Sequence, residues 1–383
     1  DLSNADIPLG SVDPDTVQIF HLGEEIAIQF DDVDQDGEFD PEDGFIFYAQ
    51  ALESKYSQES VYWLTYGNLT NGRRMEVVDG TPVSAEIQPS YDKTLHLEEN
   101  HRYISGAVGE DALERYLWTS IFAITPNTPK NWITNFNLIE PIDGSGTLTV
   151  NLLGYTSNIT YPDHHVKIYV NDVELPDAEV TWDGFNWQIT QGTIPAGVLT
   201  TGENKIKISL PHDTGVNYEI VYVDWLSLTF PSAFQAEDGS INFSYKEGIW
   251  LFQVDGFSSN EITAYNISDP SLVKLIQDAN IIDSGSSYSL QFQGQIPTGE
   301  TGTYQVLEPS AQKTPQSIET IAYDPTDLST TNGGADYILI SHGDFMTQAQ
   351  ELATHRADQG WRTVLVDVQQ IYDEFGYGIV GVD

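Results

Sequence analysis

Apolar and polar positions alternate along most of this chain in short runs separated by turn residues. Residues 17–22 (VQIFHL), 25–30 (EIAIQF) and 45–49 (FIFYA) show the two-residue period of strands with one face buried. They predict an antiparallel β domain over residues 1–131, which also holds the aromatic, β-branched runs 62–66 and 116–124. Residues 84–106 have weak periodicity and read as a long connection or short strands. The string PNTPK at 126–130 discourages regular structure and marks a boundary. From 132 to 231, short alternating runs recur at intervals of about ten residues, the rhythm of a β-sandwich, here of jelly-roll type. Within it Val170, Asn171, Asp172 and Val173 spell a tight hairpin whose central pair accepts left-handed conformations. A third β domain is predicted over 232–328, from the runs 241–245, 250–254, 262–267, 288–292 and 302–307. Its last segment, 314–327, reads as a connection and as a place for cleavage.

The period changes over 329–383. Residues 335–341, entered through Gly333 and Gly334, form an apolar run that predicts a strand buried on both faces. Ala349, Leu352, Ala353, Arg356 and Ala357 then recur at helical spacing, so a helix is expected over 347–359, with Asp344 or Thr347 at its start and Gly360 past its end. A second strand over 362–366 and a helical turn or two over 368–375 complete a strand-helix-strand unit of a parallel sheet. One such unit cannot cover both faces of a sheet, so further sequence is expected to complete this domain. The predicted fold is therefore mainly β, antiparallel domains including a jelly-roll-like sandwich, followed by the start of an α/β domain.

Charge and composition narrow the partners. Fifteen Lys and Arg against 58 Asp and Glu give a net charge of −43, which argues against nucleic acid or an anionic membrane surface. The acidity is spread along a chain that is 40% hydrophobic and 11% aromatic, which argues against disorder. With no cysteine, these residues form no disulfide or thiolate metal site and carry no cysteine nucleophile. No apolar run approaches the length of a membrane span, and no leader peptide is present, as expected for a mature chain that is secreted or held at the cell surface.

Residues 32–43, DVDQDGEFDPED, place oxygen ligands at loop positions one, three, five, nine and twelve with glycine at six. This is the spacing of a calcium loop, in which carboxylates alternate inward and glycine turns sharply around a hard cation. Asp32, Asp34, Asp36, Glu38, Asp40 and Asp43 are the candidate ligands; the competing reading is a solvated acidic turn, since flanking helices are not evident. Trp182, Trp187 and Trp225 fit either a sugar-stacking platform or core and edge-covering tryptophans. Asp163, His164 and His165 suggest a metal cluster, but adjacent strand residues point to opposite faces and cannot grip one ion together.

The string DYILISHGDFMTQAQELATHRADQGWRTVLVDVQQIYDEFGYG, residues 336–378, resembles the start of the catalytic domain of the gingipain-type (C25) cysteine peptidases, matching strand, H-x-x-[FL], helix, strand and V-D-V-x-x-I-Y-D-E-F-G-x-G. Looser resemblances precede it in family order: VQIFHLGEEIAIQF and its sequel in the first domain, then HHVKIYVN, WDGFNW and VYVDW in the sandwich. WLFQVDGFSSNEITAYNISDPSLV resembles the domain ahead of the catalytic one. The resemblance implies a caspase-like α/β fold with a His/Cys catalytic pair on later sequence, so this chain alone is not expected to be catalytic. It also implies that an acidic residue near the Tyr372 to Gly376 motif is linked to the catalytic histidine. Asp373 and Glu374 are the candidates, with Asp367 of similar standing; a calcium ligand or a capped turn is the competing account. His342, at the end of the first strand, is a candidate for support, against a role in helix N-terminal packing.

The expectation is the N-terminal part of a secreted cysteine endopeptidase, supplying accessory or prodomain-like β domains. Its partners would be a C-terminal catalytic fragment of the same precursor and protein or peptide substrates. The alternative is a non-catalytic, calcium-stabilised extracellular β-sandwich that acts as a surface or carbohydrate-binding protein.

Overall fold

The structure is a computed structural model that describes residues 2–5, 7–52, 54, 56–83, 86–105, 115–321, 328 and 334–381. Strands make up 47% of it and helices 11%, and the chain divides into two compact units. One comprises residues 1–79, 264–277 and 312–383; the other comprises 80–263 and 278–311.

The second unit contains the sandwich that the ten-residue rhythm predicts. One sheet runs Thr119–Ala123, Glu219–Ser232, Gly146–Gly154, Trp187–Ile194, and Tyr91–Glu98 also pairs with Glu219–Ser232. The facing sheet runs Lys130–Leu138, Gly202–Leu210, His164–Val170, Val173–Glu174, with Val180–Trp182 also paired to His164–Val170. All these pairs are antiparallel. The register sets Leu148 opposite Leu228, Val150 opposite Leu226 and Ile168 opposite Ile208, so the apolar member of each alternating pair points inward. Leu148, Val150, Leu152, Val166, Ile168, Val170, Ile206, Ile208 and Leu210 are all fully buried. Burying each such side chain contributes roughly 1.5–3 kcal/mol, which is what fixes the register. Val170 and Val173 close the predicted hairpin, with Asn171 at φ 47° and Asp172 at φ 66°.

Two strands that the sequence groups with the N-terminal domain belong to this sandwich: Thr119–Ala123 contributes Ile121 and Ala123 to the core, and Leu95 and Leu97 of Tyr91–Glu98 pack against it. The same unit holds a long hairpin, Ser240–Phe257 against Tyr288–Leu307, where the sequence suggests separate short runs. The runs fuse because Gly248, at φ 136°, carries the chain through a register shift that a side chain would resist. Phe234, Phe243, Phe252, Phe292 and Tyr304 pack ring against ring along it.

In the first unit, Gln18–His21 lies between Glu24–Ile26 and Trp63–Thr65, and Ile28–Asp31 pairs with Gly44–Phe47. Leu9, Val12, Val17, Ile19, Ile26, Ile28 and Phe39 form their core. Lys274–Gln277 pairs with Thr263–Asn266 and runs parallel to Glu76–Asp79. Tyr337–Ser341 and Thr363–Asp367 are parallel neighbours joined by the helix Met346–Asp358, and Val368–Phe375 is helical. Asp336 and Arg362 bracket the strand pair through a forked ion pair of 2.9 and 2.8 Å, and the guanidinium holds the Asp336 carboxyl down to about 2.

The strand expected to be buried on both faces is not: Ile338 and Ile340 are 64% and 57% exposed, because one helix covers only one face of the pair. The helix start also differs. Neither Asp344 nor Thr347 caps it; the His342 side chain accepts from the Asp344 N–H and opens a 3₁₀ turn, Gly343–Phe345, that runs into the helix. Gly360, at φ 92°, ends it as predicted. Gly333 and residues 322–327 of the expected connection lie outside the described residues. Among the described residues no helix is long and apolar enough to cross a membrane.

Candidate functional site

The acidic loop 32–43 is carried at the turn of the hairpin Ile28–Asp31/Gly44–Phe47 rather than between helices. Phe39 anchors it, buried against Phe30 and Phe45. Gly37 adopts φ 80°, the left-handed turn that position six requires, and its N–H donates to Asp32 Oδ2 at 3.0 Å. Carboxylate oxygens of Asp32, Asp34 and Asp36 come within 4.8 Å of one another. Desolvation, then the neighbouring charge of Asp36, raises the Asp34 carboxyl above its ordinary value, and Asp40 and Asp43 add to this. A divalent cation would relieve that crowding, and hard oxygen donors suit calcium, so the three converging residues fit the ion. The other three candidates stand apart from that cluster. Asp43 braces the loop, accepting from Val33 N–H at 2.8 Å and Asp40 N–H at 3.1 Å; Asp40 accepts from Glu42 N–H; Glu38 is exposed.

The candidates near the chain's end lie on two elements: His342 at the 3₁₀ turn after the strand Tyr337–Ser341, and Asp367, Asp373 and Glu374 at the last helix. His342 is 64% exposed and contacts Asp344 and Phe345. Asp367 caps the last helix, accepting from Gln369 N–H at 3.0 Å. Asp373 accepts from Gln369 Nε2 at 2.9 Å, and Glu374 Oε2 accepts from Leu328 N–H at 2.8 Å. Asp373 also lines a shallow cleft of about 270 Å³ with Phe20, Gly23, Trp63 and Tyr377.

In the sandwich, the adjacent histidines do point apart, as strand geometry requires. His164 is fully buried, its Nε2 3.1 Å from Thr156 O and 3.2 Å from Gly184 O, with its ring 4.8 Å from that of buried Trp182. His165 is gripped by two carboxylates the sequence did not connect with it: Nδ1 lies 2.7 Å from Asp213 and Nε2 2.8 Å from Glu179. Desolvation lowers its pKa, but the two hydrogen bonds and charges outweigh it, and the net shift is upward. Trp182 is thus a core residue; Trp187 and Trp225 are partly buried, Trp187 packed against the small cluster of Ile104, Leu117 and Leu153, and Trp225 beside His96.

These features define a mainly antiparallel β protein whose described chain finishes in a parallel strand-helix-strand segment. Residues 330–383, which include that segment, match the model of peptidase family C25. The chain is similar in structure to the dimeric latent PorU from Porphyromonas gingivalis, with a TM-score of 0.68 at 13% identity, a likeness of fold that covers 96% of this chain and 36% of that one. A family 35 carbohydrate binding module from Clostridium thermocellum matches with a TM-score of 0.21 at 15% identity, covering 36% of this chain and 95% of the module. A search of curated protein sequences returned no match.

Proposed function

We propose that this chain is the N-terminal part of a secreted or cell-surface cysteine endopeptidase of C25 type. Its β domains are accessory or prodomain-like, and it supplies two parallel strands of the catalytic sheet. The observation that carries this reading is the coincidence of the family match with the parallel strand-helix-strand of residues 337–375. With no cysteine in 383 residues, the nucleophile would belong to further sequence of the same precursor; the resemblance to the peptidase family implies the same of the histidine that activates it, and protein or peptide substrates would meet the pair there. Asp373 or Glu374 would sit behind that histidine, where a carboxylate fixes the tautomer and stabilises the imidazolium. Calcium at Asp32, Asp34 and Asp36 would stabilise the N-terminal hairpin; it has no part in the chemistry proposed. The test is to read the parent gene beyond residue 383 and to assay its product for peptide hydrolysis. A downstream His and Cys, with hydrolysis abolished by a thiol-alkylating inhibitor, is the expected result. Continued hydrolysis after alkylation, or a parent protein without that pair, would sink the proposal.

A further inference from the structure

The turn that follows Asp373 and Glu374 is built against the N-terminal sheet. Tyr372 O accepts from Gly376 N–H at 2.9 Å and Gly378 N–H at 2.8 Å, which folds the Y-D-E-F-G-Y-G string into a tight knot. Tyr377 is left at φ 54°, a left-handed conformation that costs a side-chain-bearing residue energy unless contacts hold it. Those contacts come from residues 20–63. The Trp63 indole N–H donates to Tyr377 O at 2.8 Å. Gly23, at φ 79°, has no Cβ, and one placed there would lie 2.8 Å from Tyr377 Cζ, so the ring occupies the space a side chain would need. Gly378, at φ 85°, fits in the same way against Val61, where a Cβ would lie 2.7 Å from Cγ1. On the sheet side, Gly23 follows Leu22, at φ 48°, in a two-residue hairpin turn.

Strained or glycine-dependent backbone on both surfaces, joined by a directed hydrogen bond, marks a built contact rather than incidental packing. We propose that the Phe20, Gly23, Val61, Trp63 surface is an intramolecular docking site for the Tyr372 to Gly378 turn. Through it, residues 1–79 hold the end of the helix bearing Asp373 and Glu374 in one position. The relevance of this to catalysis rests on the peptidase reading above; the docking itself does not.

Amide hydrogen exchange on the full 383-residue chain tests it. Trp63→Phe deletes the donor and keeps an aromatic ring, so amides of residues 372–379 should exchange up to about tenfold faster, the equivalent of one lost hydrogen bond of up to about 1.4 kcal/mol. Gly23→Ala should have a larger effect on the same peptide. Because alanine at a positive φ is strained in any surroundings, the decisive comparison is Gly23→Ala in a Tyr377→Gly background, where the ring is gone. There the Gly23→Ala penalty should fall to that of backbone strain alone. Unchanged exchange over 372–379 in Trp63→Phe, or an equal Gly23→Ala penalty with and without the Tyr377 ring, overturns the docking proposal. Faster exchange in a protein whose parent shows no thiol-dependent hydrolysis supports docking and refutes the peptidase reading instead.

Discussion

The clamp on His165 makes a signed prediction. Both ring nitrogens face carboxylates, Asp213 at 2.7 Å and Glu179 at 2.8 Å, and both bonds are best made when both nitrogens carry protons. The imidazolium is therefore favoured in the folded state, and the pKa lies above its ordinary value of 6.5. A raised folded pKa means that the stabilisation is complete below about pH 6.5 and is lost as pH rises through the folded value. The His165 side chain is 11% exposed, but those of Glu179 and Asp213 are 37% and 46% exposed, so solvent screens the pair. Each bond is then worth about 0.5–1 kcal/mol rather than the 1.5–3 kcal/mol of a dry charged bond, or about 1–2 kcal/mol for the two. His165→Gln keeps the size and removes the charge. In a domain of this size it should lower the thermal midpoint by roughly 3–8 °C at about pH 5.5 and by clearly less at about pH 9. The quantity to compare is wild type minus variant at each pH, by differential scanning fluorimetry, because the net charge of −43 destabilises both proteins alike as pH rises. A penalty that is equal at the two pH values, or larger at the alkaline one, would refute the reasoning.

Three further outcomes are expected. Calcium at about 100 times its dissociation constant should stabilise the N-terminal hairpin by about 2.7 kcal/mol, and Asp32→Asn or Asp36→Asn should abolish the response; a midpoint indifferent to calcium and to chelator would leave the acidic loop a solvated turn. Tyr304 is 1% exposed, its hydroxyl has no partner among the described residues, and burial pushes its pKa up to about 12. Tyr304→Phe should therefore be neutral or stabilise by about 1 kcal/mol in chemical denaturation, and a loss above about 1 kcal/mol would reveal a partner for that hydroxyl. Phe252, fully buried and within 5.5 Å of five other rings, should cost about 3–5 kcal/mol as alanine, against under about 1.5 kcal/mol as leucine with repacking; similar costs for the two would contradict a close-packed core.

Local periodicity carried most of the secondary structure. The two-residue alternation in GTLTVNL and HVKIYV fixes which residues face inward before any partner strand is known, and the helical spacing from Ala349 to Ala357 marks the helix Met346–Asp358, although there only Ala353 is buried while Leu352 and Ala357 are exposed. Turn chemistry read from neighbouring residues was equally legible, as at Asn171, Asp172 and Gly360. The convergence of the Asp32, Asp34 and Asp36 carboxylates is likewise a local feature, since these residues and the turning Gly37 lie within a few positions of one another.

What local pattern does not encode is the partner. Leu95 and Leu97 lie in a stretch of weak periodicity, and only the tertiary structure makes it a strand and gives its apolar face to the sandwich rather than to the N-terminal sheet. Ile338 and Ile340 read as residues buried on both sides, yet burial depends on what covers the sheet, and one helix covers one face. The grip of Asp213 and Glu179 on His165, and the seat of Tyr377 on Gly23, join residues 14 to 354 positions apart along the chain. Hydrophobic patterning determines which side of each element is buried, because that preference belongs to the element itself. Which elements meet, and so which polar side chains come within bonding distance, is decided only when distant surfaces close on one another.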